Sequence, residues 1–440
     1  MIRPLCSLAA LVGLAALCGA PAQAQEAADC PKYLPAGTEC SRGADANGAY
    51  YWIAKPKNWN GVLVVHSHGG PRLGKPEPDD ALEDLERFAV TVDEGFAWAG
   101  SNYRRGGFGA RMAAEDTDNL RKIAWEKLGR PRLTLLHGQS WGGNVAGKTA
   151  ELYAVDSDGK QVYDGVVLTN GVIAGGSRAY DFRADLRAVY QFYCQNHPRA
   201  DEDQYPLWQG LPKGAKMTRK ELEARVNECT GIDKPEAERS DKQKKALANI
   251  LGVIPVTEKS LVAHLAWATN TFQDLVFNRL GGHNPFENKN VAYKGSDDDT
   301  ALNAGIERYE TDPVGQRLMA YDSDMTGEIV APVLTMHAIK DPTAFVEMER
   351  SYRDTLSAAG NDGLLVQTFT DEDQHSKLAT PQYATLFAAM VNWIDKGEKP
   401  TRQSVATLCA EKEKTYKEAC KFDLTFEPAE LSTKSFPRNP

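Results

Sequence analysis

The chain has 440 residues, of which 25% are charged, 42% hydrophobic and 9% aromatic, a balance that suits a water-soluble globular protein with a substantial core and excludes collagen, disorder and a multi-span membrane protein. Its 51 Lys and Arg against 60 Asp and Glu leave a net charge of −9, and without a long basic run to track phosphates no nucleic acid is expected as a partner. The length accommodates one large domain with an insertion, or two ordinary domains.

Residues 1–24 read as a signal peptide. Arg3 supplies the positive charge, residues 5–17 are apolar but too short to span a bilayer, and Ala22-Gln23-Ala24 offers the small residues that cleavage needs. A lipid anchor at Cys18 would want a small residue before it, where Leu17 stands. The protein is therefore expected to be exported, periplasmic or extracellular after cleavage, with no stable membrane association. Setting aside Cys6 and Cys18 leaves six of the eight cysteines, an even number that suits an oxidising compartment. Their spacing pairs Cys30 with Cys40, Cys194 with Cys229, and Cys409 with Cys420. None stands at metal-ligand spacing from a histidine. The sequence leaves the oligomeric state open.

From Tyr50 onward short β-rich runs alternate with amphipathic segments, which predicts an α/β class with a mostly parallel, doubly wound sheet. Residues 61–66 form the first buried strand, residues 79–94 a helix with Leu82, Leu85 and Phe88 on one face, and residues 96–103 a second strand. A helix over residues 116–128, a strand over 132–137, a helix from near Trp141 and a strand over 166–169 follow. Periodic order then stops. Residues 175–326 contain helical stretches such as 220–229 and 259–275 but no strand series, and read as an inserted, mainly helical cap. Alternation resumes with a strand at 332–337, a helix at 345–359, a strand at 364–369 and a last helix bearing Tyr383, Leu386, Phe387, Met390, Trp393 and Ile394 on one face. The core thus comprises residues 25–174 and 327–399, and residues 400–440 read as a disulfide-tied tail.

The segment Gly138-Gln139-Ser140-Trp141-Gly142 lies between a strand and a helix. A sharp turn there lifts a serine above the sheet, small flanking residues avoid clashes, and the helix N-terminus aims amides at a developing oxyanion. Ser140 is the candidate nucleophile. It needs an imidazole oriented by a carboxylate. His375 lies in a polar loop after the last core strand, and Asp341 follows a strand end 34 residues earlier. Asp322, Asp324, Asp371 and Asp373 are rivals for the acid, while His137, His197, His264, His283 and His337 read as packed or surface imidazoles. Oxyanion donors are expected from the backbone of Gly70, in His66-Ser67-His68-Gly69-Gly70-Pro71, and of Trp141. His66 and His68 also resemble half a metal site, without an evident third ligand; no metal or cofactor is implied.

In its order of motifs over residues 50–396 the chain resembles the α/β-hydrolase superfamily, which implies that fold and a Ser140, Asp341, His375 triad. His68-Gly69-Gly70-Pro71, Tyr103-Arg104-Arg105-Gly106-Gly107 and Gly138-Gln139-Ser140-Trp141-Gly142 are similar to the proline iminopeptidase branch. Arg72 stands where that branch has Gly, and Gln374 precedes His375 where it also has Gly. The segment from Asp341 through Tyr352 to Gly360 is more similar to secreted esterases. The expected activity is hydrolysis of a small carboxylic ester through an acyl-enzyme. An exopeptidase acting on short peptides is the alternative, its ammonium site drawn from Glu221, Glu223, Glu228 or Glu258 of the cap. A hydrolase fold that only binds is the remaining possibility.

Overall fold

The apolar runs that open at Val62, Ala97, Leu133 and Val166 set the centre of the molecule. The computed structural model describes residues 26–438, and the signal-peptide reading, with Cys6 and Cys18, falls outside them. Ten strands form one sheet: β1 Glu26–Ala28, β2 Glu39–Ala44, β3 Tyr50–Lys55, β4 Val62–Ser67, β5 Ala97–Ser101, β6 Leu133–Gln139, β7 Gly165–Thr169, β8 Val333–Ala338, β9 Leu365–Thr370 and β10 Phe422–Asp423. Their order across the sheet is β1-β2-β3-β5-β4-β6-β7-β8-β9-β10. The six strands from β5 to β9 run parallel. Antiparallel strands complete both edges, β1 to β3 on one side and β10 on the other. Strand order and flanking helices make this an α/β-hydrolase fold.

Helices cover both faces of the parallel strands, so β4 is buried throughout yet still reads with period two. Val62 and Val64 pack with Leu133, Leu135 and Phe387 on one face. Leu63 and Val65 pack with Leu136 and Val145 on the other. That second core continues into the segment between β7 and β8, whose helices include Asp181–Cys194, Arg219–Thr230, Asp241–Val253, Glu258–Ala266 and Pro313–Ser323. Leu186, Leu222, Leu261 and Leu265 of these helices belong to the same apolar cluster as Val145. The helical segment is therefore fused to the core.

Three elements depart from the sequence pattern. The helix expected over residues 79–94 breaks into Ala81–Arg87 and Val90–Asp93. An unbroken helix would send Leu85, Phe88 and Val92 to one core, whereas the break lets Phe88 join the layer of Val62 while Leu85 and Val92 pack beside Trp52. The next helix begins at Ala110, six residues before the expected start, because its cap comes from a distant residue. Asp322 accepts the backbone N–H groups of Ala110 and Arg111. Beyond Lys399 the chain forms the helix Arg402–Tyr416 and strand β10, and then reaches back to the helix Asp181–Cys194. There Arg438 donates to Asp185 at 2.9 Å and lies 3.8 Å from Asp181. All three expected disulfides are present, Cys30–Cys40, Cys194–Cys229 and Cys409–Cys420.

Candidate active site

The turn from β6 into the helix Trp141–Leu152 holds Ser140 at φ 58° and ψ −127°, a left-handed conformation that a side chain adopts only when its surroundings enforce it. Space explains the flanking glycines. A Cβ at Gly142 would stand 2.0 Å from the Ser67 carbonyl oxygen, and one at Gly138 would stand 2.2 Å from the Gly142 carbonyl oxygen. The backbone of Gly69 approaches as closely, since a Cβ there would meet Gln139 Oε1 at 2.5 Å and Ser140 Cβ at 3.1 Å. The loop after β4 is thus pressed against the serine turn.

Ser140 Oγ lies 2.7 Å from His375 Nε2, and His375 Nδ1 lies 2.7 Å from Asp341 Oδ2. With Asp341 as the acceptor at Nδ1, the neutral ring carries its proton there and turns the Nε2 lone pair to the serine hydroxyl. The other Asp341 oxygen accepts the backbone N–H groups of Thr343 and Ala344, which fixes the carboxylate after β8. The rival acids are engaged elsewhere. Asp322 caps the helix at Ala110, Asp324 accepts Ser177 N–H, Asp371 pairs with Lys340, and Asp373 accepts from Gln374.

Behind Asp341 stands a second imidazole. Fully buried His337 lies 3.7 Å from Asp341 Oδ2 and 3.1 Å from Glu349 Oε1, and its Nε2 lies 2.9 Å from the Ala344 carbonyl oxygen. Burial disfavours its charged form, but the hydrogen bond to Glu349 and the charges of Glu349 and Asp341 outweigh it, so the imidazole is raised above its usual range. Glu349 also accepts from Thr335 and Gln367. The His375 loop is held from below by Asn170 Nδ2, which donates to the Gln374 and His375 carbonyls, and by Gln139, which donates to the His375 carbonyl and the Ser376 hydroxyl.

Gly70 and Trp141 both line the cavity at Ser140, and their backbone N–H groups find no acceptor among the described residues. His66 and His68 have separate packing roles. His66 meets His137 at 2.9 Å between their Nδ1 atoms, while His68 stacks on Tyr103 and is held down at about 4 by burial and the nearby Arg72. Among the described residues no group of three or more His, Cys, Asp or Glu side chains is placed to hold a metal ion.

The cavity, about 280 Å³, joins Ser140 and His375 to Tyr180, Arg183 and Trp267 of the helical segment. Arg183 is 3% exposed, stacked over Trp267 and Phe182, and it donates from Nε to His264 and from Nη2 to the Thr343 carbonyl. Burial lowers its guanidinium to about 10, with Tyr180 and Asp341 opposing the shift. No carboxylate pairs with it among the described residues, and leaving a buried charge so costs several kcal/mol. The cap acids proposed for an ammonium site are occupied: Glu221 by the N–H and hydroxyl of Thr218, Glu223 by Arg219, Glu228 by Arg199 and Glu258 by Arg239. None lines the cavity, whose only carboxylate, Glu83, pairs with Arg72 and Arg87.

Sequence reasoning read His337 only as a packed or surface imidazole and missed Arg183, Glu349 and Asn170. Asn170-Gly171 just past a strand end was a legible turn signal for the last of these; the others acquire their surroundings only on folding.

No protein-family model matches the chain, and no curated protein matches it. Among solved structures it is similar to feruloyl esterase B from Aspergillus oryzae, at 14% identity over 82% of this chain and 81% of that one, with a TM-score of 0.43. It is similar to a second esterase from Aspergillus oryzae, at 18% identity over 82% and 80% with a TM-score of 0.44. A third likeness is to the rice cell wall degrading esterase LipA from Xanthomonas oryzae, at 12% identity over 82% and 89% with a TM-score of 0.39. The fold assignment rests on the strand order described above and not on these likenesses.

Proposed function

We propose that the protein is a serine hydrolase of small carboxylic esters, with Ser140 as nucleophile, His375 as general base and acid, and Asp341 as the group that orients and stabilises the imidazolium. The continuous chain of 2.7 Å contacts from Ser140 through His375 to Asp341 carries this reading. As Ser140 Oγ attacks the carbonyl carbon, His375 Nε2 takes its proton, and the oxyanion forms against the N–H groups of Gly70 and Trp141. His375 then protonates the departing alcohol, and water that gives its proton to His375 releases the acid from the acyl-enzyme. The occupied state of Glu221, Glu223, Glu228 and Glu258 favours an ester over a peptide with a free ammonium. The three disulfides support export to the periplasm or beyond.

The test pairs 4-nitrophenyl esters with aminoacyl 4-nitroanilides, each with wild type and Ser140→Ala. Ester turnover should fall by at least about 10⁴-fold in the variant, and a fluorophosphonate should label wild type alone. A variant that keeps wild-type rates overturns the assignment, and anilide turnover comparable in kcat/KM transfers it to a peptidase.

A further inference from the structure

We propose that the cavity above Ser140 recognises a carboxylate on the substrate, bound by the Arg183 guanidinium, so that the ester hydrolysed carries a free acid on its acyl or its alcohol part. The inference rests on the hydrolase reading and narrows it to a substrate class. Three observations carry it: charge without a partner, a fixed geometry, and a place in the wall of the catalytic cavity.

Three arginines of the helical segment show what carboxylate compensation looks like here. Arg199, Arg225 and Arg239 each meet a glutamate, and Arg72 and Arg87, which also line the cavity, share Glu83 and Asp84. Arg187, one turn along the same helix, donates to the Tyr205 hydroxyl, feels the Glu307 charge, and does not line the cavity. Among the described residues Arg183 is the one cavity arginine with no carboxylate at ion-pair distance; the Asp341 charge acts on it, but that carboxylate is held by His375 and by the backbone N–H groups of Thr343 and Ala344.

Its orientation is set from three sides. His264 Nε2–H donates to the Pro342 carbonyl at 2.8 Å, so its Nδ1 lone pair faces Arg183 Nε, and burial with the Arg183 charge holds that imidazole neutral at about 3. Nη2 is tied to the Thr343 carbonyl, two residues from Asp341, and Trp267 lies 4.6 Å beneath the guanidinium carbon. Nη1 is the end that no described residue engages. Tyr180 lines the same cavity, and its hydroxyl has no hydrogen-bond partner among the described residues either. A planar donor fixed in this way, with the Tyr180 ring centroid 5.5 Å from its guanidinium carbon, matches a carboxylate and offers nothing to an ammonium.

The experiment compares each carboxylate probe with its uncharged isostere. On the acyl side these are mono-4-nitrophenyl adipate and 4-nitrophenyl 5-carbamoylpentanoate; on the alcohol side, 4-acetoxybenzoate and 4-acetoxybenzamide. Wild type should favour the carboxylate in one series by about tenfold or more in kcat/KM, and that series identifies which part of the ester bears the acid. Arg183→Gln should bring the ratio close to one, and Arg183→Lys should keep part of it. Should Arg183→Gln fail to fold, wild type still decides: adipate should protect Ser140 from the fluorophosphonate and adipamide should not. Labelling of Ser140 with no carboxylate preference in either series overturns this inference and leaves the hydrolase standing. Absence of labelling and of ester turnover overturns both.

Discussion

Asp341 divides its two oxygens between two tasks, and the division makes its replacement by asparagine informative. Oδ1 accepts two backbone N–H groups while Oδ2 faces His375. An asparagine would keep its carbonyl oxygen on the backbone donors and turn its NH₂ toward His375 Nδ1, which forces the ring proton onto Nε2, the atom that must accept from Ser140. Asp341→Asn should therefore lower kcat by about 10⁴-fold while leaving the unfolding midpoint almost unchanged, as followed by ester turnover and thermal unfolding. A variant within tenfold of wild type would remove Asp341 from the mechanism. At this scale Ser140 was legible from the motif around it, whereas Asp341 and His375 were legible only from their places in the loops after β8 and β9. Arg183 was not, since Trp267, His264 and Thr343, which bury and orient it, come from segments remote in sequence.

Elements are fixed here by residues outside them, and this limits what local pattern can reveal. The helix Ala110–Leu128 has no side-chain cap of its own at Gly109, so nothing in residues 104–112 announces its start. The chain of π-helical turns at Trp267–Thr271 and Leu275–Arg279 likewise interrupts what periodicity reads as one helix, at the place where Trp267 faces the cavity. By contrast the pairing of Cys194 with Cys229 was legible from spacing, and it ties the helix bearing Arg183 to the helix Arg219–Thr230 across 35 residues. Closing a loop of that length stabilises by about 3–4 kcal/mol. The double substitution Cys194→Ser, Cys229→Ser should lose about that much in urea unfolding monitored by tryptophan fluorescence; an unshifted midpoint would mean that neighbouring packing already fixes both helices.

Over the whole molecule, the sheet was readable from its apolar runs, but the return of the C-terminal segment to the helix Asp181–Cys194 was not, because it depends on two acids and one arginine that no periodicity links. Burial raises the Asp181 carboxyl from 3.8 to about 7, with Arg438 opposing and Asp185 adding to the shift. The folded chain therefore holds a proton there that the unfolded chain has released. The associated stability is complete below about 3.8 and is lost as pH rises through about 7. Asp181→Asn should flatten the pH dependence of urea unfolding across that window, and an unchanged slope would show that Asp181 titrates alike in both states.

The Arg438 contact also imposes an order on biosynthesis. Asp185 leaves the ribosome 253 residues before its partner, so throughout the making of β8, β9 and the helices around them the two acids of the helix Asp181–Cys194 have only the charges of Arg178 and Arg308 to offset them. The tie therefore forms only after β8, β9 and β10 have all been made.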